Sequence, residues 1–176
     1  MIGPRIVVIG TSGAGKSTFA RKLASSLRCD YVELDTLHWD ANWTEREQPD
    51  FEARVRARTA GDRWVVDGNY SSVRHLTWAR ATDIVWLDFS RTVVWSRVIR
   101  RTLWRSAVRE ELWAGNRESL ARALFSKDSI LLWSFSTFGR NRAKFAAARA
   151  SGEHARLRWH VLRSPREADR LLRALG

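Results

Sequence analysis

Residues 5–18 read RIVVIGTSGAGKST, and the rest of the chain is organised around them. Ile6, Val7, Val8 and Ile9 form a short β-branched run between Pro4 and Gly10, the pattern of a strand buried on both faces. Gly10, Gly13 and Gly15 then interrupt the chain. Phe19, Leu23 and Leu27 repeat at four-residue spacing, so a helix is expected to follow. Gly10-x-x-x-x-Gly15-Lys16-Ser17 fits the phosphate-binding loop pattern. A plain glycine-rich turn between strand and helix is the alternative; the buried strand before and the amphipathic helix after favour the loop.

The physics of that spacing is specific. Glycines let the backbone wrap with its N–H groups inward, making an anion-binding nest. The next helix brings the partial positive charge of its N-terminus to the same place. Lys16 then reaches the β- and γ-phosphates of a nucleotide, and the Ser17 hydroxyl takes a position on Mg²⁺. Gly10, Ser12, Gly13, Ala14, Gly15, Lys16, Ser17 and Thr18 are the predicted phosphate-side positions.

Working outward, 176 residues are enough for one domain with one real core. No apolar run approaches the roughly 18 residues of a transmembrane helix, and the N-terminus enters a strand without a signal-peptide pattern. Cys29 is the single cysteine, so no internal disulfide is expected. Together these predict a soluble cytoplasmic protein, monomer or homodimer, with no membrane partner. Net charge is +12, and all cations except Lys16, Lys22, Lys127 and Lys144 are arginine. Guanidinium geometry suits phosphate recognition, though charge alone also admits a nucleic-acid partner. Of the ten tryptophans, most are expected in the core, with a few free to stack on a ring.

A second strand is predicted over 29–34, ending in a polar and aromatic stretch: Glu33, Asp35, His38, Trp39, Asp40, Asn42 and Trp43. A helix follows from Gln48-Pro49-Asp50 to about Gly61. A third strand over 63–66 leads into Asp67-Gly68-Asn69-Tyr70 and a helix over 72–80. A fourth strand over 84–87 ends in Asp88-Phe89-Ser90-Arg91, with Asp88 a candidate cap for the helix over 92–109. On that helix Trp95, Ile99 and Leu103 read as one face, and Arg97, Arg100, Arg101, Arg105 and Arg109 as the other. A helix over 128–150 carries Arg140, Arg142 and Lys144. A fifth strand over 157–162 precedes a last helix, capped by Ser164 with Pro165 at its first position.

Strands alternating with helices predict an α/β fold with a doubly wound parallel sheet, whose ligands sit at the carboxyl ends of the strands. That rule gathers the glycine loop and the segments after strands two to five along one edge. Phosphoryl transfer needs the phosphates held, their charge neutralised and the acceptor placed in line. Asp35 is the candidate base or orienting group for the acceptor. Asp67 is the candidate metal-side carboxylate, acting with Ser17 through water, although Asp-Gly is also an ordinary turn. His38 is either a base or a packed ring. The arginine-bearing helix is either a solvated face or part of a lid over a triphosphate, with Arg97 and Arg101, then Arg140 and Arg142, as the contacts.

On GTSGAGKST, LDTLHWDANW, WVVDGNYSSVR, IVWLDFSR and VLRSPREADRLL, the chain resembles the adenylate-kinase-like group of P-loop kinases. Within it, the chain looks most like the bacterial family labelled DNA topology modulation proteins. The resemblance implies a three-layer P-loop NTPase fold with a five-stranded sheet of order 2-3-1-4-5 and a helical lid over 97–127. It implies ATP and Mg²⁺ at the loop and a second substrate over strands two and three, contacted by Asp35, His38, Trp39, Trp43, Asp67, Gly68, Asn69, Tyr70 and Arg74. The Asp-Gly-Phe-Pro-Arg motif of nucleoside monophosphate kinases is here Asp67-Gly68-Asn69-Tyr70, with Arg74 further on, a departure from the pattern for AMP as acceptor. Ser164 and Pro165 lie where adenine contacts sit in such kinases. The expected activity is transfer of a phosphoryl group from ATP to a nucleotide, nucleoside or other small acceptor. The alternative is a nucleic-acid-associated ATPase or nucleotide-binding regulator.

Overall fold

The computed structural model describes residues 2–108 and 130–175, without the side chains of 102, 103, 105–108 and 130–135. Five parallel strands, β1 (Arg5–Gly10), β2 (Asp30–Glu33), β3 (Trp64–Asp67), β4 (Asp83–Leu87) and β5 (Arg158–Leu162), form one sheet in the order β2-β3-β1-β4-β5. This is the predicted order. The helices are α1 (Lys16–Leu27), α2 (Leu34–His38), α3 (Gln48–Arg58), α4 (Arg74–Arg80), α5 (Arg91–Val108), α6 (Ile130–Ala150) and α7 (Pro165–Arg173). Among the described residues no helix is long and apolar enough to cross a membrane.

β1 is the centre because its side chains are apolar on both faces. Val8 joins Phe19, Leu23, Val85, Val94 and Val98 in one core cluster. Val7 and Ile9 join Phe51, Val55, Trp64, Ile84 and Phe145 in the other. Parallel strands need such cover on both sides. α6 contributes to both clusters, Phe138 to the first and Phe145 to the second. Between those two residues Arg142 clamps Asp88 at the end of β4, with Nε–Oδ1 at 2.8 Å and Nη2–Oδ2 at 3.0 Å.

Register then sets the site. Val8 and Glu33 both align with Asp67, Gly10 aligns with Leu87, and Leu87 aligns with Leu162. The segments after β1, β2, β3, β4 and β5 therefore leave from one edge.

Several expectations need correction. β2 stops at Glu33, and Leu34 already opens α2, so Asp35 and His38 lie on a short helix rather than in a loop. α3 ends at Arg58, where Thr59 turns its hydroxyl back to the Val55 carbonyl at 2.7 Å, before Gly61 is reached. A 3-10 turn over Ser71–Val73 precedes α4. Asp88 does not cap α5; the Val93 N–H donates to Ser90 Oγ at 3.5 Å, and Asp88 is taken by Arg142. On α5 the buried positions are Val94 and Val98, while Ile99 is 43% exposed, because Gly13 lets the glycine loop press against Val94 and Val98. Ile99 is therefore turned away from the core, while Trp95 of the expected face packs against it. Of the predicted lid, the stretch 109–127 lies outside the described residues, as do Arg109, Glu110, Glu111 and Lys127. Ser164 and Pro165 behave as predicted: Ser164 Oγ accepts the Glu167 N–H, and Glu167 Oε2 accepts the Arg163 N–H at 2.8 Å, a reciprocal cap.

Candidate functional site

The loop after β1 is shaped by left-handed residues. Gly13 (φ 85°) and Gly15 (φ 88°) adopt conformations that a side chain disfavours, and a Cβ on Gly13 would lie 2.2 Å from Val98 Cγ2. The Ala14 N–H closes the loop on the Thr11 carbonyl at 3.1 Å. Lys16 opens α1 and folds its ammonium back to within 3.4 Å of the Thr11 carbonyl. Ser12, Gly13, Gly15, Lys16 and Ser17 are half-buried, while Thr18 is exposed.

Two side chains hold this loop from outside. Asn69 accepts the Gly10 N–H through Oδ1 at 3.3 Å and donates Nδ2 to the Gly10 carbonyl at 2.5 Å. Arg97 donates Nη1 to the Ala14 carbonyl at 2.8 Å and lies over the Phe89 ring. Arg97 was expected on an arginine face opposite the packed one, and it instead turns inward to the loop. Arg101 continues the Val94–Val98 stripe at helical spacing and is half-buried. Asn69 was expected on the second substrate; its amide is committed to the loop's first glycine.

At the end of β3 Asp67 is buried, and the Tyr31 hydroxyl donates to its Oδ2 at 3.5 Å. Oδ1 is buried without a partner. Burial drives its pKa up to about 6; the Lys16 charge and the Ser17 hydroxyl oppose this, and Asp35 and Glu33 add to it. The carboxylate thus lies close to both functional side chains of the loop. Burial and the Asp67 charge push the Tyr31 phenol up, so it stays a proton donor. Gly68 backs onto Leu34.

Across from Asp67, α2 presents Asp35, whose Oδ1 accepts the Tyr70 hydroxyl at 2.5 Å. Burial and the Asp35 carboxylate raise the Tyr70 pKa, keeping that proton in place. His38 is packed at ring-centroid distances of 4.8 Å from Trp39, 5.0 Å from Phe51 and 4.5 Å from Tyr70, with Nδ1 buried and unpartnered. Its surroundings are those of a packed ring. Trp39 meets Trp43 edge-on at 5.7 Å.

The loop carrying these tryptophans is tightly held. Asn42 (φ 60°) and Trp43 (φ 57°) are both left-handed, a conformation that costs roughly 1–3 kcal/mol where no glycine relieves it. Arg46 compensates: Nε donates to the Leu37 carbonyl at 3.0 Å, and the guanidinium pairs with Asp40 and with Asp50. Trp39 and Glu45 form an antiparallel bridge across the loop.

The structure therefore brings together the glycine loop, Asp67, Asn69, Tyr70, Asp35 and Arg97. Trp39 follows α2 and meets Trp43, and Ser164 and Pro165 start α7 at the end of β5. Arg74 is not aimed at Asp67–Tyr70; its guanidinium stacks on Trp78 at 4.3 Å, and burial lowers its pKa. Arg140 is exposed on α6. Sequence reasoning missed Tyr31, Arg46 and Lys144, the last of which donates to Ser71. Tyr31 had a signal, since it alternates with Glu33 on a strand that ends at this edge; Lys144 had none, because its partner is 73 positions away.

Three solved structures share this arrangement of elements. A gluconokinase from Sinorhizobium meliloti 1021 is 22% identical with a TM-score of 0.53, over 99% of this chain and 94% of that one. A shikimate kinase from Acinetobacter baumannii in complex with shikimate is 16% identical with a TM-score of 0.54, over 98% and 90%. A sugar kinase from Janibacter sp. HTCC2649 is 16% identical with a TM-score of 0.50, over 97% and 93%. They show the P-loop kinase fold. No curated protein sequence matches the chain. At the level of sequence families, a single model spans residues 6–167, glycine loop to final helix, and by that match the chain belongs to the AAA domain family.

Proposed function

We propose that this protein is an ATP-dependent small-molecule kinase. The reading is carried by one juxtaposition: a phosphate loop with Lys16 and Ser17 on one side of buried Asp67, and the Tyr70-bound carboxylate of Asp35 on the other. In the transfer, an acceptor hydroxyl oxygen forms a bond to the γ-phosphorus of ATP as the bond from that phosphorus to the β–γ bridging oxygen breaks. ADP leaves with the electron pair, and the hydroxyl proton passes to Asp35.

The chain's residues divide this work. Loop N–H groups and Lys16 hold the β- and γ-phosphates, and Arg97 keeps the loop's Ala14 carbonyl turned away from them. Ser164 and Pro165 are the candidate base contacts. Tyr70 fixes the direction of the Asp35 carboxylate, which suits a loose transition state where orientation matters more than a strong base. Trp39 and Trp43 give the acceptor a wall that excludes water.

The residues present also fit Mg²⁺. A buried aspartate oxygen without a partner, close to a loop serine, matches a cation that keeps several waters and takes one or two carboxylates plus phosphates. Ser17 would hold it directly and Asp67 through water. When bound it neutralises charge on the β- and γ-oxygens.

The similar structures, a gluconokinase, a sugar kinase and a shikimate kinase, support a small-molecule acceptor.

The test is ADP release from Mg²⁺-ATP across a panel of sugars, sugar acids, nucleosides and nucleotides. One class of acceptor should stimulate release many-fold over the unstimulated rate. Bound ATP without stimulation by any acceptor would sink the reading.

A further inference from the structure

Beneath α1 lies a side chain that the transfer chemistry has not used. Tyr31 stands on β2 two residues before Glu33, so both side chains leave the same face of the sheet. Register sets them beside Val65 and Asp67 of β3. α1 covers this face through Phe19 and Leu23, and Tyr31 packs against that cluster. Its hydroxyl donates to Asp67 Oδ2 at 3.5 Å. The ring is held in that direction by α1: the Arg21 guanidinium lies over it, 5.3 Å from its centroid, and Arg21 Nη2 pairs with Glu33 Oε2 at 3.4 Å. Arg21 follows Ser17 by one helical turn, so the residue that braces Tyr31 and the serine of the loop share a side of α1. Glu33 is also within reach of the Tyr31 hydroxyl, but its charge is answered by Arg21. The two oxygens of Asp67 are thus made unequal. Oδ2 faces Tyr31, and Oδ1 is buried without a partner. A carboxylate with one oxygen tied presents the other in a fixed direction, which is how outer partners orient the groups that serve a metal ion.

We propose that Tyr31 is the positioning residue of the metal side: its hydroxyl holds Asp67 Oδ2 so that Oδ1 stays free for a hydrated divalent cation. Arg21 and Glu33 brace Tyr31 in turn. This rests on the Mg²⁺ part of the kinase reading and deepens it by a residue that acts only through Asp67.

The test needs no acceptor. Mn²⁺ stands in for Mg²⁺, and its binding to the protein with a non-hydrolysable ATP analogue is read by electron paramagnetic resonance. Tyr31→Phe removes only the hydroxyl and should weaken Mn²⁺ binding by about tenfold. Affinity for the analogue in EDTA should stay within about twofold, which separates metal positioning from damage to the loop. Asp67→Asn should weaken Mn²⁺ binding too, and Tyr31→Phe added to it should cost nothing more. The chain has two tyrosines, Tyr31 and Tyr70, so 13Cζ-tyrosine labelling gives a readout that does not depend on the folding of Tyr31→Phe. Mg²⁺ added to the complex with the analogue should shift the Tyr31 signal, and Asp67→Asn should abolish that shift. Wild-type Mn²⁺ affinity in Tyr31→Phe overturns the inference. So does an equal loss with and without Asp67→Asn, or a Tyr31 signal that Mg²⁺ leaves in place. The kinase reading stands or falls separately: Mn²⁺ binding that depends on Tyr31, with no acceptor stimulating ADP release, sustains the inference and sinks the transfer reaction.

Discussion

Two buried aspartates sit at opposite edges of the same sheet, and their treatment differs. Asp83, at the start of β4, is fully buried. It accepts from the Gly3 N–H at 2.9 Å and Arg158 Nη2 at 2.9 Å, and meets His160 Nε2 at 2.7 Å. Burial alone would raise its pKa, but the bonds from His160, Thr82, Arg158 and Gly3 outweigh it and the pKa is lowered. Asp67, at the end of β3, is 3% exposed, keeps one oxygen unpartnered, and has its pKa raised to about 6. The protein completes the first carboxylate by itself and leaves the second to be completed by something else. Satisfied charge marks the structural edge of this fold, and unsatisfied charge marks the edge where the proposed function puts the chemistry.

Substitutions can break that contrast. The largest effect should come at the working edge. Lys16→Ala should cut acceptor-dependent turnover by about a thousandfold while the melting temperature of the nucleotide-free protein stays within a degree or so of wild type. A variant that melts early would make Lys16 structural and blur the two edges. Next, Asp35→Asn should lower transfer by about a hundredfold, with ATP affinity from calorimetry unchanged within about twofold. Transfer at the wild-type rate would remove Asp35 from the acceptor side.

Asp83→Asn should show the opposite pattern, costing about 2 kcal/mol in denaturant unfolding with kcat unchanged at a permissive temperature. The acid limb follows from the same bonds. A carboxyl whose folded pKa is lowered stabilises the fold fully above its ordinary value and loses that contribution as pH falls through the lower, folded value. Wild type should therefore lose stability as pH drops below about 4, and Asp83→Asn should lose less over that range. The smallest effect is expected at Asp67. Its raised pKa means that ionisation above about pH 6 opposes folding. Asp67→Asn should therefore raise the pH 8 melting temperature of the nucleotide-free protein, by about 1 kcal/mol in stability terms, while removing the extra stabilisation by Mg²⁺-ATP. A lower melting temperature would show Asp67 to be completed internally after all.

The donor side was legible because it is local. β1, the glycine loop and α1 are contiguous, and Ser164-Pro165-Arg166-Glu167 spells its own cap. The acceptor side is built across distance. Leu34–His38 is too short to show a helical period, so a five-residue helix read as loop. Arg97 read as either a solvated or a lid-side cation, because charge spacing does not reveal a backbone carbonyl waiting on another element. Asp88 read as a cap because its true partner, Arg142, is 54 positions away. Tyr70 and Asp35 were both singled out, but nothing in either local sequence says that one holds the other.

The side chain of Asn69 carries a consequence for anyone who would move parts between proteins of this fold. Its amide reads the Gly10 peptide from both ends, donor to acceptor and acceptor to donor, as a neighbouring strand would. It extends the β1–β3 ladder by one rung made of side chain. The segment after β3 is therefore not detachable from the loop after β1, because part of it also pins the first glycine of that loop. A graft that brings a new acceptor sequence without an amide at this position would alter nucleotide handling as well as acceptor choice.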